Sequence, residues 1–301
     1  MTFLTLLVAL LLSRLWPQAR DRVRVPGVHR LGAWLERRIG EGPWAGAAWW
    51  ACLGFVWMLF AYLSATLHGL HAVLGLVFDA AVLFTVLENG RDAIRFGQVH
   101  QSLQEGNVAQ AGERLREWTG GGCRVVNAGE IARVAIERAL LSAHRNVFGV
   151  SFWFVLLPGP GAAVAYALVA SRAHAWLGDS GPVQAARRVL DRLDWLPARV
   201  TAIGFAIAGN FEDAAYCWRS QARQWHNEIE GILISSGAGA MGVKLGRPVS
   251  CGGQLIPRPE LGMGIDPGPD LLQSAVELVW RTLVLCLALL ALFSVSAWVS
   301  S

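Results

Sequence analysis

Long apolar runs alternate with arginine-rich polar stretches along the whole chain. Phe3 to Leu12 is a short run ending at Arg14 and Trp16, residue types that settle at a membrane–water boundary. Ala45 to Thr66 is long enough to span, since about 20 apolar residues cross the hydrocarbon layer. Leu70 to Leu87 follows a turn at His68 and Gly69, and the two runs predict a helical hairpin. Val147 to Ala170 is apolar but interrupted by Pro158-Gly159-Pro160-Gly161, which leaves two halves too short to cross alone at about 1.5 Å per residue. Leu190 to Gly209 begins with charges, turns at Trp195-Leu196-Pro197 and runs into an apolar segment with Arg199 at its mouth. Ala275 to Val299 is a clear span, with Glu277 and Arg281 one turn apart at its entrance. The pattern predicts an all-α, polytopic integral membrane protein with about 4–6 membrane segments. They fall near 3–16, 45–66, 70–87, 147–170 (broken), 196–209 and 275–299, within one domain over the full chain.

The polar stretches carry the topology and the candidate chemistry. Pro17 to Pro43 holds Arg20, Arg22, Arg24, Arg30, Arg37 and Arg38, a density that marks a cytoplasmic loop; within it Val28 to Ile39 is patterned to lie along the membrane surface. Glu88 to Arg145 is again arginine-rich, with amphipathic helices predicted over Asn107–Trp118 and Asn127–Leu141. Asn127 is a plausible cap for the second, with Glu130 in the capping-box position. Glu130 and Glu137 share one face of that helix. The pair is either a solvated face beside Arg133 and Arg138, or a metal- or phosphate-handling site. Asn210 to Ile229 predicts one helix, followed by a glycine-dense stretch from Ser235 to Pro269. Such composition makes a flexible loop, or a nest of backbone amides suited to anions. It is not a nucleotide P-loop, because Lys244 is followed by leucine.

Composition supports the membrane reading: 54% of residues are hydrophobic, 16% are charged, and there are 14 tryptophans. The net charge of +4 is modest, and no nucleic-acid partner is expected; the lipid bilayer is. Cys52, Cys123, Cys217, Cys251 and Cys286 lack paired metal-ligand spacing, so neither a disulfide framework nor a zinc site is expected. Met1 to Trp16 lacks a basic leader and a cleavage site and reads as a retained membrane segment. Asp79, inside the second long run, is either a functional intramembrane acid or a hydrogen-bond partner for a neighbouring helix.

Four motifs in order, VHRLGAWLERRI, NAGEIARVAIERAL, LDRLDWLPARVTA and GAGAMGVKLGRPVSCGG, resemble the CobD/CbiB membrane family of cobalamin biosynthesis. The opening run and LDWLPARVTAIGFAIAG are equally similar to AmpE, a related membrane protein linked to β-lactamase induction. The family resemblance implies a bacterial inner-membrane protein and an enzyme joining an aminopropanol phosphate to the carboxylate of adenosylcobyric acid. Magnesium and ATP are implied with the activity, and a corrinoid as substrate. It also implies catalytic roles for Glu130, Glu137, Asp191 and Asp194, and substrate-binding roles for Arg199, Gly242, Lys244 and Gly246. Which residues would hold the metal is left open.

The chain departs from the family at several acidic motifs. Leu141-Ser142-Ala143-His144-Arg145-Asn146 stands where the family has ENTSDG, and Ala170-Ser171-Arg172-Ala173-His174-Ala175 where it has NTLDSM. Asp194 replaces an asparagine, and EIEGILISS replaces the SPNxGxPE motif. Two expectations therefore stand side by side: a synthase-like ligase, or a non-catalytic signalling protein of the AmpE kind.

Overall fold

A computed structural model describes residues 2–15, 44–87, 89–120, 125, 127–173, 181–251 and 254–299. The surface helix expected over Val28–Ile39, the anchor Trp16 and Cys123 lie outside the described residues. The described chain is helical apart from four short strands, and it divides into two compact units.

The first unit is built of α1 (Thr2–Leu15), α2 (Ala45–Leu70), α3 (Ala72–Val86), α7 (Gly149–Leu156), α8 (Gly161–Ala173) and α9 (Gly181–Leu193). The expected hairpin is α2 and α3, which pack on each other and turn at His71, whose side chain accepts from the Val73 amide. Asp79 has the partner that one of its two readings required. Its Oδ2 lies 3.0 Å from His68 Nε2, the imidazole occupying the space that a side chain on Gly75 would fill. The Pro-Gly-Pro-Gly interruption does end a helix: α7 stops at Leu156, and α8 restarts at Gly161, where any Cβ would press into the Trp57 backbone of α2.

The second unit comprises α4 (Asn89–Gln104), α5 (Val108–Thr119), α6 (Ala128–Ala143), α10 (Trp195–Ala208), α11 (Phe211–Gln221) and α12 (Glu228–Met241). It also holds strands β1 (Lys244–Gly246), β2 (Val249–Cys251), β3 (Gln254–Ile256) and β4 (Glu260–Gly262), and most of α13 (Leu271–Val299). Asparagines cap its helices. Asn107 accepts from the Gln110 amide and Asn127 from the Gly129 amide, satisfying donors that a helix start leaves open. Glu130 turns to Arg133 as well as sitting in the capping-box position.

Two expectations change here. The predicted helix over Asn210–Ile229 breaks after a short 3-10 turn at Ala222–Gln224, because Asn227 caps a new helix through the Ile229 and Glu230 amides. That new helix, α12, carries the first part of the supposed glycine-rich loop. Gly237 sits against Leu140 of α6, and Gly239 against the Asp213 and Ala214 backbone of α11. Small residues here let helices approach closely, which outweighs their poor intrinsic helix propensity. The remainder of the stretch forms antiparallel pairs, β1 with β4 and β2 with β3.

Among the described residues, three helices are long and apolar enough to cross a membrane: Ala45–Leu70, Ala128–Leu156 and Leu271–Ser296. The second was not anticipated as one piece. The amphipathic α6 runs on into the apolar α7 through a π-helical turn at His144–Phe148, giving 29 continuous residues. The helices at Phe3–Leu12, Ala72–Val86, Gly161–Ser171 and Trp195–Ala208 are apolar but shorter than a full span. α2 and α13 expose Phe55, Met58, Tyr62, Leu292 and Phe293, an apolar surface suited to acyl chains rather than water.

Candidate functional site

The site centres on α6, one polar face of which is covered by the strands that follow α12. Glu137 is 4% exposed, and both of its carboxylate oxygens are engaged. Oε1 accepts the Gly246 amide at 2.8 Å, and Oε2 accepts Arg258 Nη1 at 2.9 Å. Gly246 meets that demand with a φ of 77°, in a place where a side chain would run into the Pro259 carbonyl. A residue with a Cβ would fail on both counts.

Arg258 is held from three sides. Its Nε donates to the Arg247 carbonyl at 3.1 Å, Nη1 to Glu137, and its guanidinium lies 5.2 Å from the centre of the Trp225 ring. A cation over an indole face is a favourable contact that also fixes the guanidinium plane. One turn before Glu137, Arg133 reaches the Pro248 carbonyl at 3.2 Å and Glu130 at 3.4 Å.

Arg247 has a φ of 65°, a backbone region that costs a non-glycine residue about 1–2 kcal/mol. Its side chain secures the turn, with Nε donating to Glu260 and Nη2 to Asp266, both at 2.7 Å. These hydrogen bonds, Glu260 first, hold the Arg247 guanidinium above its ordinary value. The Arg247 hydrogen bond in turn holds the exposed Asp266 carboxyl below the usual range. Lys244 Nζ lies 3.7 Å from the other Glu260 oxygen.

Four of the residues expected from sequence are thus brought into one neighbourhood: Glu130, Glu137, Lys244 and Gly246. Gly242 is close by in the chain but has a structural task, closing α12 in the left-handed conformation at a φ of 67°. Arg199 is half-buried on α10. Asp191 and Asp194 belong to the first unit, Asp191 half-buried and Asp194 buried as acceptor of the Tyr166 hydroxyl at 2.8 Å. The helix that begins with the WLPAR segment has a tie within the second unit. Thr201 donates to the Pro197 carbonyl, so its one hydroxyl proton is spent and it accepts from His144 Nδ1, 3.0 Å away.

Arg258, Arg247 and Glu260 were missed by sequence reasoning. The sole local hint is an arginine between two prolines, Pro257 and Pro259, in a stretch otherwise poor in charge. Among the described residues no three His, Cys, Asp or Glu side chains stand together as a metal site. The dominant character of the cluster is guanidinium.

Residues 6–279 match the family model described as CobD/Cbib protein. The chain is 32% identical to the cobalamin biosynthesis protein CobD of Chromobacterium violaceum, covering 94% of this chain and 93% of that one. It is 30% identical to the protein of the same name from Stutzerimonas stutzeri, over 92% and 93% of the two chains. Its identity to the cobalamin biosynthesis protein CbiB of Salmonella arizonae is 27%, over 84% and 81%. No solved structure matches. With a family match from near its start into its final helix, and membrane-compatible helices throughout, the chain belongs to the CobD/CbiB family of cobalamin-biosynthesis membrane proteins.

Proposed function

We propose that this protein is a multi-pass protein of the bacterial inner membrane that joins the amine of an aminopropanol phosphate to a carboxylate of adenosylcobyric acid. The observation that carries this reading is the clasp in which Glu137 binds Gly246 and Arg258. It ties NAGEIARVAIERAL to GVKLGRP, two of the family-like motifs, into one folded site lined by arginines. Both substrates are anionic, and guanidinium groups suit phosphate and carboxylate geometry.

Forming an amide from a carboxylate requires the loss of a carboxylate oxygen, and a nucleoside triphosphate supplies the phosphoryl group that carries it away. The described residues form no protein-only cage for magnesium. A magnesium–nucleotide complex asks for only one or two protein carboxylates besides its own phosphates, and Glu130, Glu260 and Asp266 are the exposed or partly exposed carboxylates beside the basic cluster. Within the chain, Arg133 and Arg258 bind and orient anions, while Glu137 holds Arg258 in place. The AmpE-like signalling role has no comparable support from the relatives.

The test is expression in a strain lacking adenosylcobinamide-phosphate synthase. Restored conversion of adenosylcobyric acid is expected, while a correctly inserted protein that restores none overturns the reading.

A further inference from the structure

Glu137 does not use Arg258 as a carboxylate usually can. A facing carboxylate engages a guanidinium through two parallel hydrogen bonds. Here Glu137 gives one oxygen to the Gly246 amide and only the other to Arg258 Nη1. Arg258 Nη2 is left buried and, among the described residues, without a hydrogen-bond partner. Arg133, whose side chain is 7% exposed, has the same property at Nε, its Nη2 being spent on Pro248 and Glu130. Buried polar groups are paired in the great majority of cases, and a buried guanidinium N–H without an acceptor is costly. Two such donors sit on arginines that bond the carbonyls of consecutive residues, Arg133 to Pro248 and Arg258 to Arg247, and both are fixed by these bonds, so they form an acceptor-seeking pair. Lys244 and Arg247 stand nearby at the exposed edge, each about a third exposed and already paired to Glu260.

We propose that Arg133 Nε and Arg258 Nη2 together bind a phosphate oxyanion. The inference deepens the proposed function, resting on it for the identity of the phosphate: the aminopropanol phosphate or the nucleoside triphosphate. Arg258 is the positioned half of the clamp, held by Trp225, Arg247 and Glu137. Arg133 is the half carried by α6. An ammonium at position 258 keeps the charge opposite Glu137 but cannot offer the second donor of a planar fork.

The full chain, purified in detergent micelles, is titrated with inorganic phosphate at constant ionic strength, using calorimetry and thermal unfolding. Saturable binding is expected. Arg258→Lys and Arg133→Lys each weaken it at least tenfold in chains that still unfold in a single cooperative transition. No saturable binding overturns the proposal, as does equal affinity in both variants. Displacement of phosphate by acetate at similar concentration also overturns it, assigning the clamp to carboxylates. Competition distinguishes the sources, since the phosphate compound that displaces inorganic phosphate at lower concentration, aminopropanol phosphate or a non-hydrolysable ATP analogue, is the natural occupant. Binding is read without turnover. A chain that binds phosphate but fails complementation loses only the proposed reaction, and one that complements while Arg258→Lys keeps its phosphate affinity loses only the clamp.

Discussion

Glu137 and Asp79 are both carboxylates buried in helices, and they are held in opposite ways. Asp79 bonds His68, 11 residues away across a helical hairpin, through one oxygen, and its Oδ1 is buried with no partner among the described residues. Glu137 bonds Gly246 and Arg258, 109 and 121 residues away, and uses both oxygens. The first contact joins two neighbouring helices and follows from their adjacency. The second is a fold-level lock that exists only when α6, β1 and the loop before β4 are all in place. Intramembrane acids draw attention by default, yet the acid with the most extensive commitments lies in a helix whose sequence looked amphipathic and ordinary.

The largest expected effect tests that contrast directly. Glu137→Leu strands Arg258 as a buried, uncompensated charge and should destabilise the protein by about 3–5 kcal/mol. Asp79→Leu removes a single hydrogen bond to a partly exposed imidazole and should lose about 1 kcal/mol. Unfolding of the two variants in micelles would show it, and equal losses would end the distinction between lock and local link. Next come the glycines of the two units. A Cβ on Gly239 would meet the Asp213 carbonyl at 2.5 Å, so Gly239→Ala should cost about 1–3 kcal/mol. Gly54 in α2 has nothing within 4 Å, so Gly54→Ala should stabilise by about 0.5–1 kcal/mol. Opposite signs in Tm are the expected outcome; matching signs would refute the close-packing role of α12.

A smaller loss, about 1 kcal/mol, is expected for Asn127→Ala, which uncaps α6 and loosens the helix that presents Glu137. The smallest effect is a pH dependence. Because Arg247 holds the Asp266 carboxyl below its unfolded value, their bond contributes stability in full above about pH 4 and loses it as pH falls through the lower folded value. Asp266→Asn should flatten this part of the stability profile, and an unchanged acid limb would show that the exposed pair contributes nothing measurable.

Much of the frame was legible because it follows from local pattern. Asn107 and Asn127 announce the helices they cap, Pro158 to Gly161 ends α7, and the terminal run forms α13. The continuity of α6 with α7 was not legible. A π turn absorbs the change from amphipathic to apolar sequence with no proline to mark it, and Gly149, which follows the turn, does not break the helix. Gly237 and Gly239 misled for a physical reason, since glycine disfavours helix until a neighbour packs where its side chain would be. In the site, Glu130 and Glu137 were found by their shared face, but their fates differ, one partly exposed and the other buried. Arg258 has no periodicity relating it to Glu137, and a contact across 121 residues leaves no local trace.

The same separation has a consequence in time. At about 5–20 residues per second, the ribosome needs roughly 6–24 s to travel from Glu137 to Arg258. Throughout that interval α6 exists without the arginine that accompanies its buried carboxylate. The apolar continuation of the helix, α7, is made early in the same interval. The nascent chain therefore meets the membrane with a long helix that is half ready to enter it and half waiting for a partner still to be synthesised.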